Sequence, residues 1–120
     1  MSIKKVFIIA IAVFTSVFLT TCKKVEVPTQ PTNVTAFQKN ETIVISCSGA
    51  KNATSYRIYR SATGKDYDVP IGTESCLGEG ITAYFYDNTP FVGVNYYKVT
   101  AFNEEVESLE GGYATCNFVP

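Results

Sequence analysis

The sequence predicts an antiparallel all-β sandwich of seven strands, and three features of the chain favour it. After about residue 21, short runs alternate apolar and polar positions, which is the period of a half-buried strand. These runs are rich in Tyr, Phe, Val, Ile and Thr, and Gly, Asn or Pro separates them. No segment beyond residue 22 has the spacing of an amphipathic helix. About 99 residues follow the leader, which suits one domain with one modest core.

The predicted strands cover residues 34–37, 42–48, 55–60, 69–72, 81–86, 96–102 and 114–118. In the third strand, Tyr56 and Ile58 share one face, and Arg57 and Tyr59 share the other. The fourth strand contains Pro70 and is therefore expected at a sheet edge. Three Asn-x-Ser/Thr sequons, at Asn33, Asn40 and Asn52, are interpreted as turn-forming asparagines rather than glycan acceptors.

Residues 1–21 have the organisation of an export signal. Lys4 and Lys5 precede a 14-residue apolar run, 6–19, which as a helix is about 21 Å long against roughly 30 Å of hydrocarbon. The sequence Leu19-Thr20-Thr21-Cys22 resembles a bacterial lipobox, which implies acylation of Cys22, although Thr replaces the usual small residue before the cysteine. A plain secretory signal with an incidental cysteine remains the alternative.

Residues 22–31 are predicted to be the lipidated cysteine and an extended tether, and residues 32–120 the domain. The charges and two prolines of this segment suit a linker, and ten residues at about 3.1 Å each would lift a domain roughly 30 Å from the bilayer. Acyl chains on Cys22 would make the membrane a partner and place the protein in the bacterial cell envelope. No Asp follows Cys22, so we expect the outer membrane.

The composition argues against several functions. From Cys22 onward, eight Lys or Arg stand against eleven Asp or Glu, and no basic patch indicates nucleic-acid binding. The chain has no His, which removes the commonest general base and zinc ligand, and we predict no enzyme, catalytic residue, cofactor or metal site. The glutamates of residues 103–110 are expected in a flexible, solvated loop, where a weak calcium site is the alternative.

Six segments in order resemble the fibronectin type III family, and the resemblance covers about residues 31–120. They are PTNV (31–34), IVIS (43–46), YRIYRS (56–61), YD (86–87), GVNYYKVTAFN (93–103) and ES (107–108). The resemblance implies a seven-stranded immunoglobulin-like sandwich. Two positions depart from it: Cys47 replaces the usual core Trp, and Asn95 occupies the place of the corner tyrosine. Either Tyr96 takes the corner role through a one-residue shift, or the corner is absent.

The three cysteines beyond Cys22 match no zinc pattern. Cys47 ends the second strand and Cys76 precedes the fifth, so in an oxidising compartment these two are candidates for a disulfide. The alternative is that Cys47 and Cys116 are small buried apolar residues.

The candidate binding surface is the outer face of the sheet that holds strands three and six. Tyr and Arg are enriched at binding hot spots, although cross-strand aromatic and cationic pairs also stabilise exposed sheets. By parity this face displays Arg57, Tyr59, Tyr96, Lys98, Thr100 and Phe102. The predicted function is a non-catalytic envelope module for adhesion to, or binding of, a protein or carbohydrate ligand. The alternative is a structural spacer or an assembly subunit of a larger envelope complex.

Overall fold

The computed structural model describes residues 26–104 and 106–120, and every regular element in these ranges is a β-strand. The strands are β1 (Thr32–Lys39), β2 (Thr42–Ser48), β3 (Ser55–Ser61), β4 (Pro70–Ser75), β5 (Ala83–Asp87), β6 (Gly93–Phe102) and β7 (Gly112–Phe118). They form two antiparallel sheets with the orders β1-β2-β5 and β4-β3-β6-β7. The predicted seven-stranded sandwich is therefore confirmed. The fifth strand begins at Ala83, however, and Ile81 lies exposed in the preceding loop.

The core lies between the two sheets and is built around two fully buried tyrosines, Tyr56 and Tyr97. Cys47, at the position where the resemblance implies a tryptophan, is buried in the same core. Beside Cys47 a cavity of about 10 Å³ remains, which is close to the smallest space that holds one water. Tyr56 lines this cavity together with Ile45, Ile58 and Phe85, so these side chains fill most of the space beside Cys47.

The three sequon asparagines all adopt left-handed backbone conformations. Their φ angles are 53° at Asn33, 55° at Asn40 and 61° at Asn52. Asn40 opens the two-residue connection from β1 to β2, and Asn33 lies where the register between these strands shifts. Asparagine tolerates this region better than other non-glycine residues. Asn40 and Asn52 thus lie in connections between strands, as the turn interpretation predicts, whereas Asn33 lies within β1. That these residues are not glycan acceptors stays a prediction.

Asn95 itself holds the turn at this position, so the Tyr96 alternative is wrong and the tyrosine corner is absent. Its side chain is fully buried, and its Oδ1 accepts a hydrogen bond from the backbone N–H of Phe91 at 2.9 Å. Its Nδ2 donates to the carbonyl oxygens of Phe91 and Gly93, at 2.8 and 3.0 Å. The short side chain of Asn95 suffices in place of a tyrosine because its partners, Phe91 and Gly93, lie only four and two positions before it in the chain.

Asp87 joins the two sheets through a buried polar network. Its carboxylate, at the end of β5, accepts two bonds from Arg60 Nη1 of β3, at 2.9 and 3.0 Å. Tyr97 of β6 donates its hydroxyl proton to the same carboxylate at 2.6 Å, and the Thr89 N–H donates at 3.1 Å. The Arg60 guanidinium also lies 4.3 Å above the Phe91 ring. Every oxygen of the buried carboxylate is therefore paired.

The antiparallel order gathers the loops at two ends of the sandwich. At one end lie residues 26–31 and the connections 49–54, 76–82 and 103–111, which we call the N-terminal end. The connections 40–41, 62–69 and 88–92 lie at the opposite end. No helix of the described ranges has the length and apolarity that crossing a membrane requires.

Residues 26–31 have no regular secondary structure, and they lie against the domain instead of standing free of it. Thr29 and Lys51 exchange two hydrogen bonds, of 3.0 and 2.7 Å. Gln30 Nε2 donates to the carbonyl of Gly111 at 2.8 Å, and Asn103 Nδ2 donates to the carbonyl of Glu26 at 2.9 Å. The domain therefore holds the chain from Glu26 onward, six residues before β1.

Candidate functional site

The predicted binding surface is the outer face of the four-stranded sheet, and its residues lie side by side as parity predicts. Arg57 is opposite Thr100, and Tyr59 is opposite Lys98, across the β3–β6 pair. We call the set Arg57, Tyr59, Tyr96, Lys98, Thr100 and Phe102 the capped face, because a loop covers much of it.

Glu107 provides the cap. Its Oε2 accepts hydrogen bonds from Tyr59 OH at 2.7 Å and from Thr100 Oγ1 at 2.5 Å, and Arg57 Nη1 lies 3.5 Å away. Phe102 and Glu107 also form an isolated β-bridge, which folds the loop back over the sheet. The expectation of a solvated Glu107 is wrong, because three donors on the sheet surface converge on this carboxylate.

Electrostatics at the cap favour the ionised carboxylate. Partial burial alone would raise the pKa of Glu107, but the bonds from Thr100 and Tyr59 and the charges of Arg57 and Lys98 outweigh it. The pKa of Glu107 is therefore below its usual value.

The cap removes part of the predicted surface from solvent. Tyr59 is only 8% exposed and Thr100 is buried, so the expectation that both are free for a ligand is wrong. The Arg57 guanidinium lies 4.7 Å from the Phe102 ring centroid, and Lys98 Nζ lies 5.3 Å from that of Tyr59. Both cations thus already have aromatic partners within the domain.

The rest of the capped face consists of a groove beside Arg57 and Phe102 and of Tyr96, which a loop contacts. Arg57 and Phe102 border a groove of about 290 Å³ together with Asn103, Glu104, Val106 and Glu107. Tyr96 lies under the 62–69 connection, because a Cβ added at Gly64 would be 2.9 Å from Tyr96 Cδ1. The structure therefore brings the five predicted ligand residues onto one face but leaves only the Arg57–Phe102 groove concave and accessible.

The three-stranded sheet has a second aromatic surface that the sequence analysis did not select. Phe37, Tyr84 and Tyr86 are 49%, 51% and 54% exposed on its outer face. Across the strands Phe37 pairs with Val44, and Val44 pairs with Tyr86. Val44 is buried although it lies on an outer face, between Phe37 and Tyr86. We call Phe37, Val44, Tyr84 and Tyr86 the open aromatic face.

Hydroxyl groups and a near absence of charge complete the open aromatic face. Thr35 and Ser46, which hydrogen-bond each other, form the row next to the aromatic one, and Ser46 pairs across to Tyr84. Lys39, at the end of β1, is the one charged residue whose position on these three strands shares this face. Strand spacing places Phe37 and Tyr86 roughly 10 Å apart. The alternation of Tyr84 and Tyr86 in the sequence was the signal that could have found this surface.

The three cysteines of the described residues, Cys47, Cys76 and Cys116, are free thiols. Cys47 is buried, and burial raises the pKa of its thiol to about 12. Cys76 Sγ lies 3.4 Å from Tyr56 OH. Cys47 and Cys76 are not bridged in the structure, and Cys47 packs as a core residue, as the alternative predicted, whereas Cys116 is only partly buried. Among residues 26–104 and 106–120 no group of three His, Cys, Asp or Glu is arranged to hold a metal ion. Cys22, the predicted acylation site, lies outside the described residues.

Comparisons with known proteins identify the fold. No protein-family model and no curated protein matches the chain. Among solved structures, the chain is similar to an Fn3-like protein from Clostridium thermocellum, with a TM-score of 0.60 and 24% identity over 75% of this chain and 92% of that one. It is also similar to structures described as FN3tt mut (TM-score 0.55, 21% identity, 75% and 94% covered) and FN3tt (0.51, 18%, 75% and 95%). The strand order and these likenesses together show that the described residues have a fibronectin type III-like fold.

Proposed function

We propose that this chain is a non-catalytic lipoprotein of the bacterial cell envelope, and that its domain binds a protein or glycan ligand through the open aromatic face. One observation carries the choice of surface: three half-exposed aromatic rings lie on a sheet face whose one charged strand position is Lys39. Rigid aromatic side chains offer contact area at a low cost in conformational entropy. Residues 1–21 support the envelope location as an export signal, and Cys22 supports the lipid anchor.

The ligand class follows from the chemistry of this surface. Tyrosine rings stack on the apolar faces of sugars or on apolar side chains, while their hydroxyls, with Thr35 and Ser46, exchange hydrogen bonds. The scarcity of charge favours an uncharged ligand surface over an acidic or basic one. A neutral glycan or an uncharged protein surface therefore fits better than a nucleic acid.

Binding is tested with purified domain against a glycan array and against solubilised envelope proteins. Tyr84→Ala and Tyr86→Ala should each weaken binding by about 1–2 kcal/mol, or about five- to thirty-fold, as hot-spot side chains do. Tyr113→Ala is the matched control, because Tyr113 is an exposed tyrosine on the other sheet. Arg57→Ala tests the groove of the capped face in the same assay. If only Arg57→Ala weakens binding, the contact surface is the groove and the proposed one is wrong.

The assembly-subunit function makes a different prediction from the same surface. A sheet face with half-exposed rings over a buried valine also suits a permanently covered protein interface. In that case pull-down under mild detergent recovers one envelope protein at fixed stoichiometry, and Tyr86→Ala releases it.

The lipid anchor is tested separately from the ligand. Cys22→Ser should abolish detergent-phase partitioning and acyl-chain mass, because the acylated sulfur is removed. A variant that still partitions with membranes and is processed to the same size would contradict the anchor.

A further inference from the structure

The N-terminal end of the domain has exposed apolar side chains that neither sheet face explains. Leu109 is 90% exposed and Leu77 is 76% exposed, each in a loop of this end. Val27 and Ile81 are exposed in the neighbouring segments. Val27 and Leu109 also line one shallow depression of about 330 Å³. Several exposed apolar side chains at one end of a domain are typical of contact with a protein or a membrane.

Residues 26–31, which pack against the domain, determine at which end the chain towards Cys22 leaves it. The hydrogen bonds of Glu26, Thr29 and Gln30 to the 49–54 and 103–111 connections fix residues 26–31 against the domain. Gly112 contributes to this packing, because a Cβ there would lie 2.3 Å from Val34 Cγ2 and 3.1 Å from the Pro31 carbonyl oxygen. The chain that leads back towards Cys22 therefore leaves the domain at its N-terminal end.

The remaining linker is short. Cys22 and Glu26 are four positions apart, and a fully extended chain of that length spans at most about 14 Å. We propose, on the basis of the lipid anchor proposed above, that the N-terminal end rests on the bilayer surface with Leu109 and Leu77 in contact with lipid. The domain thus lies on the membrane and is not raised on a ten-residue tether.

The charges of this end select the kind of lipid surface. Besides Glu107, whose carboxylate is bound on the outer face of the four-stranded sheet, the described charged residues there are Glu26, Lys51, Glu79, Glu104 and Glu110. Four carboxylates against one ammonium group disfavour a strongly anionic membrane, although Lys23 and Lys24 of the linker offset two of them. The surface that fits is one dominated by zwitterionic head groups, where apolar contact and the acyl anchor act together.

The absence of tryptophan from the chain provides a clean test. Leu109→Trp and, as a second reporter, Leu77→Trp are prepared as full-length acylated protein and bound to phosphatidylcholine vesicles containing brominated acyl chains. Glu41→Trp, in the β1–β2 connection at the opposite end, is the matched control. We expect blue-shifted emission and strong bromine quenching for the two leucine positions and unchanged emission for Glu41→Trp. Increasing the anionic lipid content should reduce the quenching.

Failure of this inference is distinguishable from failure of the anchor. If mass spectrometry finds no acyl chain and the protein does not float with vesicles, the lipid anchor is wrong. If the acylated protein floats but Leu109→Trp and Leu77→Trp emit like Glu41→Trp, the anchor stands and the proposed orientation is overturned. The exposed leucines would then be expected to contact a protein and not lipid.

Discussion

Replacing Asn95 tests whether one buried amide holds the turn between β5 and β6. Asn95→Ala removes three hydrogen bonds and leaves the N–H and C=O of Phe91 and the C=O of Gly93 without their partner. At about 0.5–1.5 kcal/mol for each net bond, the expected loss in the free energy of unfolding is about 2–4 kcal/mol. For a domain of this size that corresponds to a fall in Tm of roughly 8–30 °C.

Asn95→Asp separates the hydrogen bonds from the volume of the side chain. The introduced carboxylate keeps an acceptor for the Phe91 N–H but turns its second oxygen towards two carbonyl oxygens. Ionisation is therefore disfavoured in the folded state, so the folded pKa of the introduced group lies above its unfolded value of about 3.9. Stability should be highest below that unfolded value and should fall as pH rises through the folded pKa.

Thermal and urea unfolding at several pH values measure both variants. Asn117→Ala is the control, because Asn117 is an exposed asparagine of β7 near the same end and should change stability by less than about 0.5 kcal/mol. If Asn95→Ala is as stable as Asn117→Ala, the amide does not hold the turn and the corner is formed by other contacts.

Three further predictions concern the buried polar and thiol groups. Asp87→Ala should cost about 3–5 kcal/mol, because it leaves the Arg60 guanidinium without its buried partner; a urea midpoint equal to that of Asn88→Ala would contradict this. Glu107→Gln should make the free energy of unfolding depend less on pH in acid. The depressed pKa of Glu107 stabilises the fold above the unfolded pKa of about 4.3, and this stabilisation is lost as pH falls through the folded pKa. Equal acid slopes for the wild-type protein and Glu107→Gln would refute the cap. Cys47, whose thiol pKa is about 12, should be alkylated at pH 8 far more slowly than Cys116, and equal rates in mass-mapped peptides would show that it is not buried.

The strands and their inward faces could be predicted because alternation is a local property of the chain. Tyr56, Ile58 and Val99 all lie in the core where a period of two places them. The left-handed asparagines could also be predicted, since the preference belongs to the residue and its neighbours. In each case the information lies within a few residues of the position concerned.

The cap and the corner could not be predicted, for two physical reasons. Glu107 lies 48 positions from Tyr59, and nothing local to either residue states that the loop folds back onto the sheet. Asn95 was visible as a substitution, but its role depends on a turn geometry that places two carbonyls and one N–H within reach of a short amide. The sequence showed that the tyrosine was missing and not what replaced it.

Connection lengths explain why one outward aromatic surface is covered and the other is open. The four-stranded sheet has two connections between its own neighbouring strands, residues 62–69 and 103–111, and both fold onto its outer face, over Tyr96 and Tyr59. The three-stranded sheet has one such connection, the two residues 40–41, which are too few to reach back over the sheet. The other connections cross from one sheet to the other around the ends of the sandwich. Strand alternation therefore predicts that the side chains of Tyr59 and Tyr84 both point away from the core. The lengths of the connections explain why Tyr84 is exposed to solvent and Tyr59 is covered.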